Sequence, residues 1–215
     1  MATLNQIAER MAYALNDSFN VELLENIKFS VLSWRAMLIR QDIERNGLSD
    51  EFLQKAYIDL VKVDAADSCD FTIDNCIILK SVNKIPKLVR IKSDVLFKFV
   101  GIFDENSNLK PTTYVEQEEL RYRKFNRYTS KTIAYNYTND YLYFFNNTKL
   151  KKATIQAIFA DPRQVNLLCS ENCFDSDSEL PIGMDMLNTI VAGIISKEFP
   201  LQNPTDAEVN INTDR

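Results

Sequence analysis

Apolar residues recur at three- and four-residue intervals over the first part of the chain, the spacing of a helix with one buried stripe. Leu4, Ile7, Ala8, Met11, Ala12 and Leu15 form the first such stripe. Thr3 followed by Gln6 gives it a capping-box start, because each side chain can satisfy a backbone donor at the other's position. Asn16-Asp17 interrupts the run. A second helix is predicted from about Val21 to Arg45, with Leu24, Ile27, Val31, Trp34 and Leu38 on one face. Asn46-Gly47 closes it, since glycine accepts a positive φ without steric cost. A helix of about 25 residues is about 38 Å long, more than most globular helices. Its stripe requires a partner, either a helix of the same chain or one of another.

Beyond Ser49 the period shortens. YIDLVKV (57–63) alternates charged and apolar residues as a strand does, and an acidic loop follows over 64–75. IIL (77–79) reads as a short strand and 80–92 as an extended basic segment, where Pro86 excludes a helix interior. A strand is predicted over 95–103 and a turn over 104–111. Thr113 with Glu116 is a second capping signature, so Tyr114 to about Arg127 reads as a short helix. The hairpin is the clearest β signal: strands 132–137 and 141–145 around Thr138-Asn139-Asp140. Residues 153–160 form a strand with apolar residues on both faces, stopped by Asp161-Pro162. An acidic loop covers 166–180. Met184, Leu187, Ile190, Val191, Ile194 and Ile195 then give an amphipathic helix ending near Phe199-Pro200.

The expected fold class is α+β: N-terminal and C-terminal helices forming a helical bundle, with a β-rich middle domain inserted. Residues 1–50 supply the first helices, 51–165 the β-rich domain, 166–200 the returning loop and helix, and 201–215 an extended tail. The tail has no helical period and only spaced apolar residues, Leu201, Val209 and Ile211.

Composition narrows the chemistry. The 215 residues are 46% hydrophobic and 26% charged, as in a globular protein. There is no histidine, which removes Ser-His and Cys-His pairs and imidazole metal sites. The four glycines, Gly47, Gly101, Gly183 and Gly193, lie far apart, so no Gly-rich phosphate cradle is present. A net charge of −5 argues against wholesale wrapping of nucleic acid while leaving room for a local basic strip. The N-terminus lacks the apolar core of a signal peptide and no stretch reaches the length of a membrane span, so the protein is expected to stay in the compartment where it is made, away from membranes.

Three groups of residues could carry chemistry. Cys69, Cys76, Cys169 and Cys173 could in principle hold zinc, but the first pair is spaced too widely and all lie among acidic residues; they read as free thiols, and no metal or cofactor is expected. Lys84, Lys87, Arg90 and Lys92 lie in the basic segment 80–98, and Arg121, Arg123 and Lys124 in 121–131, interleaved with Tyr122, Phe125 and Tyr128. Such positions suit phosphates and stacked bases, and a nucleic-acid-binding module using both segments is the alternative function. A solvated face over a buried aromatic row would alternate in the same way. Glu116, Glu118 and Glu119 suit a helix N-terminus, and Asp175, Asp177, Glu179 and Asp185 form a loose acidic patch without the glycine-anchored order of a calcium loop.

The order of segments resembles a known family. SVNKIPKLVRI (81–91), AIFADP (157–162), CSENCFDSDSELPIGMDM (169–186) and the last helix with its Pro- and Asp-containing tail look like the head-to-tail connector, or ring adaptor, virion proteins of crAss-like short-tailed bacteriophages. The resemblance implies a structural, non-enzymatic virion protein, assembled in the host cytoplasm. It implies a homo-oligomeric ring of twelve copies below the portal protein, continuing the DNA channel and docking other tail ring proteins. In such a ring, Phe199, Leu201, Val209 and Ile211 would make subunit contacts, and the basic positions above would line the channel, touching packaged DNA without reading its sequence.

Overall fold

A computed structural model describes residues 2–16, 20–64, 77–91, 96–103, 109–123, 132–146, 149–168 and 175–198. It is a mixed α/β fold: several helices beside a β-rich sheet. Helix α1 (Leu4–Ala14) starts as its sequence requires, with the Gln6 N–H donating to Thr3 Oγ1 and the Thr3 N–H donating to Gln6 Oε1, both at 3.2 Å. Helix α2 (Val21–Asn46) is capped by Asn20 and ended by Gly47 at a φ of 88°. Helix α4 (Met184–Lys197) packs on α2. Leu4 and Met11 of α1, Ile27, Val31, Ile39 and Ile43 of α2, and Ile190 and Ile194 of α4 share one apolar cluster.

The buried row of α2 differs from the expected one. It runs at every fourth residue, Ile27, Val31, Arg35, Ile39 and Ile43, while Leu24, Trp34 and Leu38 are only half-buried. Four residues turn a helix through a full circle plus about 40°. The buried face therefore winds around α2 along its length, which a straight 3, 4 stripe does not describe. Trp34 lies at the margin. Its ring packs over Gly193, where an added Cβ would meet it at 2.8 Å, and its indole N–H donates to Glu198 at 2.8 Å.

The strands are β1 (Gln54–Asp64), β2 (Ile77–Ser81), β3 (Phe97–Phe103), β4 (Leu109–Pro111), β5 (Thr113–Tyr114), β6 (Ala134–Thr138), β7 (Tyr141–Phe145) and β8 (Lys152–Ala157). They form one sheet in the order β4-β3-β8-β1-β2-β7-β6-β5. The two ends of that order, β4 and β5, are separated in the chain by Thr112 alone. One extended segment, 109–114, therefore pairs with β3 at its start and with β6 at its end, and the sheet closes on itself. Its interior holds Ile58, Leu79, Val100, Ile102, Phe144, Ile155 and Phe159. A second face, Ile78, Ala134, Tyr143 and Phe145, is covered by Val115 and by Leu120 of helix α3 (Gln117–Arg123). This is why β7 reads as an unbroken apolar run: it is buried on both faces.

Two expectations change here. Thr113 is a strand residue paired with Ala134, so α3 begins at Gln117, not at Tyr114. The cap-like Thr-x-x-Glu spacing loses to closure of the sheet, which takes the backbone of Thr113 into a ladder. The hairpin turn is two residues long, because Thr138 pairs with Tyr141. Asn139 and Asp140 have φ of 52° and 65°, the conformation whose twist matches that of the flanking strands.

Helices and sheet meet around Arg35, which is fully buried. Its Nε donates to the Pro181 carbonyl at 2.9 Å and its Nη1 to the Phe159 carbonyl at 3.0 Å. Burial pushes its pKa down to about 10, opposed by the nearby Asp161 carboxylate, so the guanidinium remains charged at neutral pH. Arg35 thus fastens α2 to the segment following β8 and to the segment entering α4. On either side of that bond, Ile158 packs with the helices and Phe159 inside the sheet.

Two predictions concern this junction. Arg35→Met should destabilise the protein by about 2–4 kcal/mol in a urea titration, since the buried Phe159 carbonyl and the part-buried Pro181 carbonyl each lose a donor. Arg35→Lys should remain less stable than the native chain, because a single ammonium does not present the guanidinium's fixed fork. Trp34→Ala should cost about 2 kcal/mol, below the ~3–5 kcal/mol of a fully buried ring, given its half-exposed position. A loss in that higher range would place Trp34 in the centre of the core.

Candidate functional site

Residues 82–91, which follow β2, are irregular but firmly stitched. The Val82 N–H donates to the Asp59 carbonyl, Ile85 to Asp140, Val89 to Ile158, and Ala160 to Lys87, at 2.7–2.9 Å. Ile85, Pro86, Val89 and Ile91 are buried while Lys84, Lys87 and Arg90 are exposed. The basic residues alternate with core residues because one side of the segment is packed and the other is wet. That is the solvated-face pattern.

This course divides the basic strip in two. Lys84 lies with Lys80 around the hairpin: Lys80 Nζ is 3.9 Å from the Tyr141 ring centre and 5.4 Å from that of Tyr143, and Lys84 Nζ is 5.8 Å from Tyr141. Lys87 and Arg90 instead line an open groove of about 650 Å³ against the outer side of α2. Across it stand Phe29, Met37 and Arg40, with Ala160 and Arg163 at one end. Phe29 is 74% exposed and Met37 42%, an uncommon investment of apolar surface on a helix whose other face is core. Arg40 pairs with Glu44 at 3.2 Å and Arg163 with Asp161 at 3.1 Å. Lys87 and Arg90 have no ion-pair partner among the described residues.

Arg121 and Arg123 lie in α3, and the side chain of Tyr122 between them is exposed. Lys92, Lys124, Phe125 and Tyr128 lie outside the described residues, as do Cys69, Cys76, Cys169, Cys173, Phe199, Leu201, Val209 and Ile211. Glu118 and Glu119 occupy the first turn of α3, as their type suggests. Asp175 serves a local turn: its Oδ1 accepts from the Ser178 hydroxyl at 2.8 Å and from the Asp177 N–H at 3.0 Å. The Ser178 hydroxyl is the main reason its carboxyl titrates lower than usual. Asp177 accepts from the Asn5 amide at 2.6 Å. Among the described residues no three Cys, Asp or Glu side chains converge as metal ligands, and no helix is long and apolar enough to cross a membrane.

The α2 side of the groove was not legible beforehand. Phe29 and Met37 fall off the expected stripe and Arg163 sits beyond a proline, with no spacing that links them. The groove joins three stretches of chain, 29–40, 87–90 and 160–164, that only tertiary packing brings together. An open groove with an apolar wall and a cationic wall suits an extended acidic peptide better than a small reacting molecule.

The family model described as phage tail ring protein 2 matches residues 12–215. No curated protein matches the chain.

The hairpin beside Lys80 and Lys84 makes a pH prediction. Burial first, then the Tyr114 phenol, raises Tyr135 to about 12; burial, then Asp140, raises Tyr137 to about 12, and its hydroxyl donates to Asp140 Oδ1 at 3.1 Å. An acid whose folded pKa exceeds its unfolded value, about 10, keeps the proton more readily when folded. Its contribution to stability is complete below about pH 10 and is lost as the pH rises toward 12. Spectrophotometric titration of the native protein should show these tyrosines ionising late, with the melting temperature falling over the same interval. Ionisation of every tyrosine near pH 10 without unfolding would contradict it.

Proposed function

The chain belongs to the phage tail ring protein 2 family, and from that premise we propose that it forms a ring between portal and tail of a crAss-like short-tailed phage. Membership of the family makes it a structural component of the phage tail, and hence of the virion. The finer reading is a closed ring of twelve copies, seated below the portal protein, extending the DNA channel and docking the next tail ring. The observation that carries it is the family match over nearly the whole chain. The exposed apolar side of α2 supports it, since a ring subunit must offer two unlike faces that meet by rotation.

In this reading α1, α2 and α4 act as one helical bundle into which residues 51–165 are inserted, and 199–215 reach a neighbour through Phe199, Leu201, Val209 and Ile211. The shared apolar cluster of the three helices supports the first point. Lys80, Lys84 and Tyr141 supply the surface for non-specific contact with packaged DNA, with Arg121, Arg123, Lys92 and Lys124 as further candidates. The same cation–aromatic group is what favours the second reading, a nucleic-acid-binding module.

Imaging by cryo-electron microscopy, with the purified chain alone and mixed with portal, tests this. A closed twelvefold ring coaxial with the portal is expected. Single copies scattered on the tail would overturn the reading. DNA affinity of the isolated subunit that falls steeply between low and moderate salt, without ring formation, would favour the binding module.

A further inference from the structure

The groove on the outer side of α2 has two unlike walls. Phe29 and Met37 of α2 stand on one side, with Arg40 engaged by Glu44. On the other, Lys87 and Arg90, without ion-pair partners among the described residues, flank Leu88 and Val89, and Asp161, engaged by Arg163, also lines the groove. Between Phe29 and Arg40 it runs about 16 Å along the helix, the length of about five extended residues. We propose that this groove receives residues 206–211 from the C-terminal segment of a neighbouring copy, a proposal that rests on the ring reading above.

The sequence Asp206-Ala207-Glu208-Val209-Asn210-Ile211 has the complementary pattern. In an extended backbone, successive side chains point to opposite sides. Asp206 and Glu208 then face one wall while Val209 and Ile211 face the other. Carboxylates meet Lys87 and Arg90, and aliphatic side chains cover Phe29 and Met37. From 199 to 215 the chain carries Asp206, Glu208 and Asp214 against Arg215, so its charge opposes that of the groove.

Sheet addition is the other common way to bind an extended peptide. Here the two ends of the sheet order are one continuous segment, although each half of β1 pairs on one side only, 54–59 with β8 and 60–64 with β2, so strand addition is an outcome the cross-links would show. The source of the peptide follows from where α4 ends. The Ser30 hydroxyl and the Trp34 indole both donate to the Glu198 carboxylate, which holds the end of α4 against the first half of α2. Asp206 comes eight residues later, with Pro200 and Pro204 favouring an extended course between. An extended course over those eight residues would span about 26 Å, longer than the groove itself, so the motif is assigned to a neighbouring copy.

The test uses the full chain. Rings are assembled from equal parts of an isotopically light chain, carrying photoreactive p-benzoylphenylalanine in place of Val209, and a heavy native chain. Irradiation followed by mass spectrometry should join light tail peptides to heavy peptides containing residues 29–40 or 87–90. Lys87→Glu with Arg90→Glu in the heavy chain should lower that yield at least fivefold, and Asp206→Lys with Glu208→Lys in the light chain should restore it. Both basic residues are exposed, so a thermal melt of the double variant should match the native one. Cross-links confined to light peptides would show the groove filled by its own chain and overturn the proposal. Rings whose cross-links lie elsewhere, or whose yield ignores the charge reversals, would overturn it while leaving the ring reading intact. A chain that forms neither rings nor light-to-heavy products would overturn both.

Discussion

One buried charge fixes the arrangement of the whole molecule. Taking a guanidinium out of water costs several kcal/mol, and the cost is offset only where acceptors are already in place. Arg35 finds them in the carbonyls of Phe159 and Pro181, which belong to segments far apart in sequence. The two carbonyls engage Nε and Nη1 and leave the buried Nη2 without a hydrogen-bond partner among the described residues. The guanidinium thus ties α2 to the end of β8 and to the approach to α4 without being fully satisfied. A leucine at this position would pack against many neighbouring surfaces; a guanidinium accepts one. Its consequence is that the helices and the sheet share one buried polar contact, whose loss leaves two carbonyls without their donor.

The groove inherits its shape from that junction. Phe159 carries the carbonyl that Arg35 holds, and the same stretch pins residues 87–89 through the Val89–Ile158 and Ala160–Lys87 bonds. Lys87 and Arg90 are therefore presented from a fixed backbone, facing a helix fixed by the same guanidinium. Both walls of the groove are thus held by the one junction.

Closure of the sheet places a further constraint on assembly. An open sheet offers unpaired N–H and C=O groups to other chains, whereas the segment 109–114 uses its two halves to pair with β3 and β6. The edges that segment 109–114 would otherwise leave bare are thereby used within the chain. A tail ring component benefits from this closure. Contacts made by side chains can be specific to one neighbour, whereas a bare strand edge pairs with almost any extended chain.

Local physics made several elements legible from residues alone. The Thr3–Gln6 cap, the Gly47 stop, the hairpin around Asn139-Asp140 and the final amphipathic helix each depend on groups within a few positions of one another. Short-range patterns recorded each element, the hairpin with a turn one residue too long. The course of 80–91 was also readable, because Pro86 and the alternation of Ile85, Val89 and Ile91 with basic residues follow from a segment packed on one side. Four things waited for the tertiary structure. The buried face of α2 winds with its changing neighbours, so Arg35 lies in the core and Trp34 at its edge. Thr113 joins a strand because its backbone partner, Ala134, is supplied by a distant hairpin. The basic strip splits, since Lys84 turns toward Tyr141 and Lys87 and Arg90 toward α2. The groove exists only where three remote stretches converge. Each of these depends on partners distant in the chain, whose placement is settled by packing and by the satisfaction of buried polar groups, and no local pattern encodes which partner that will be.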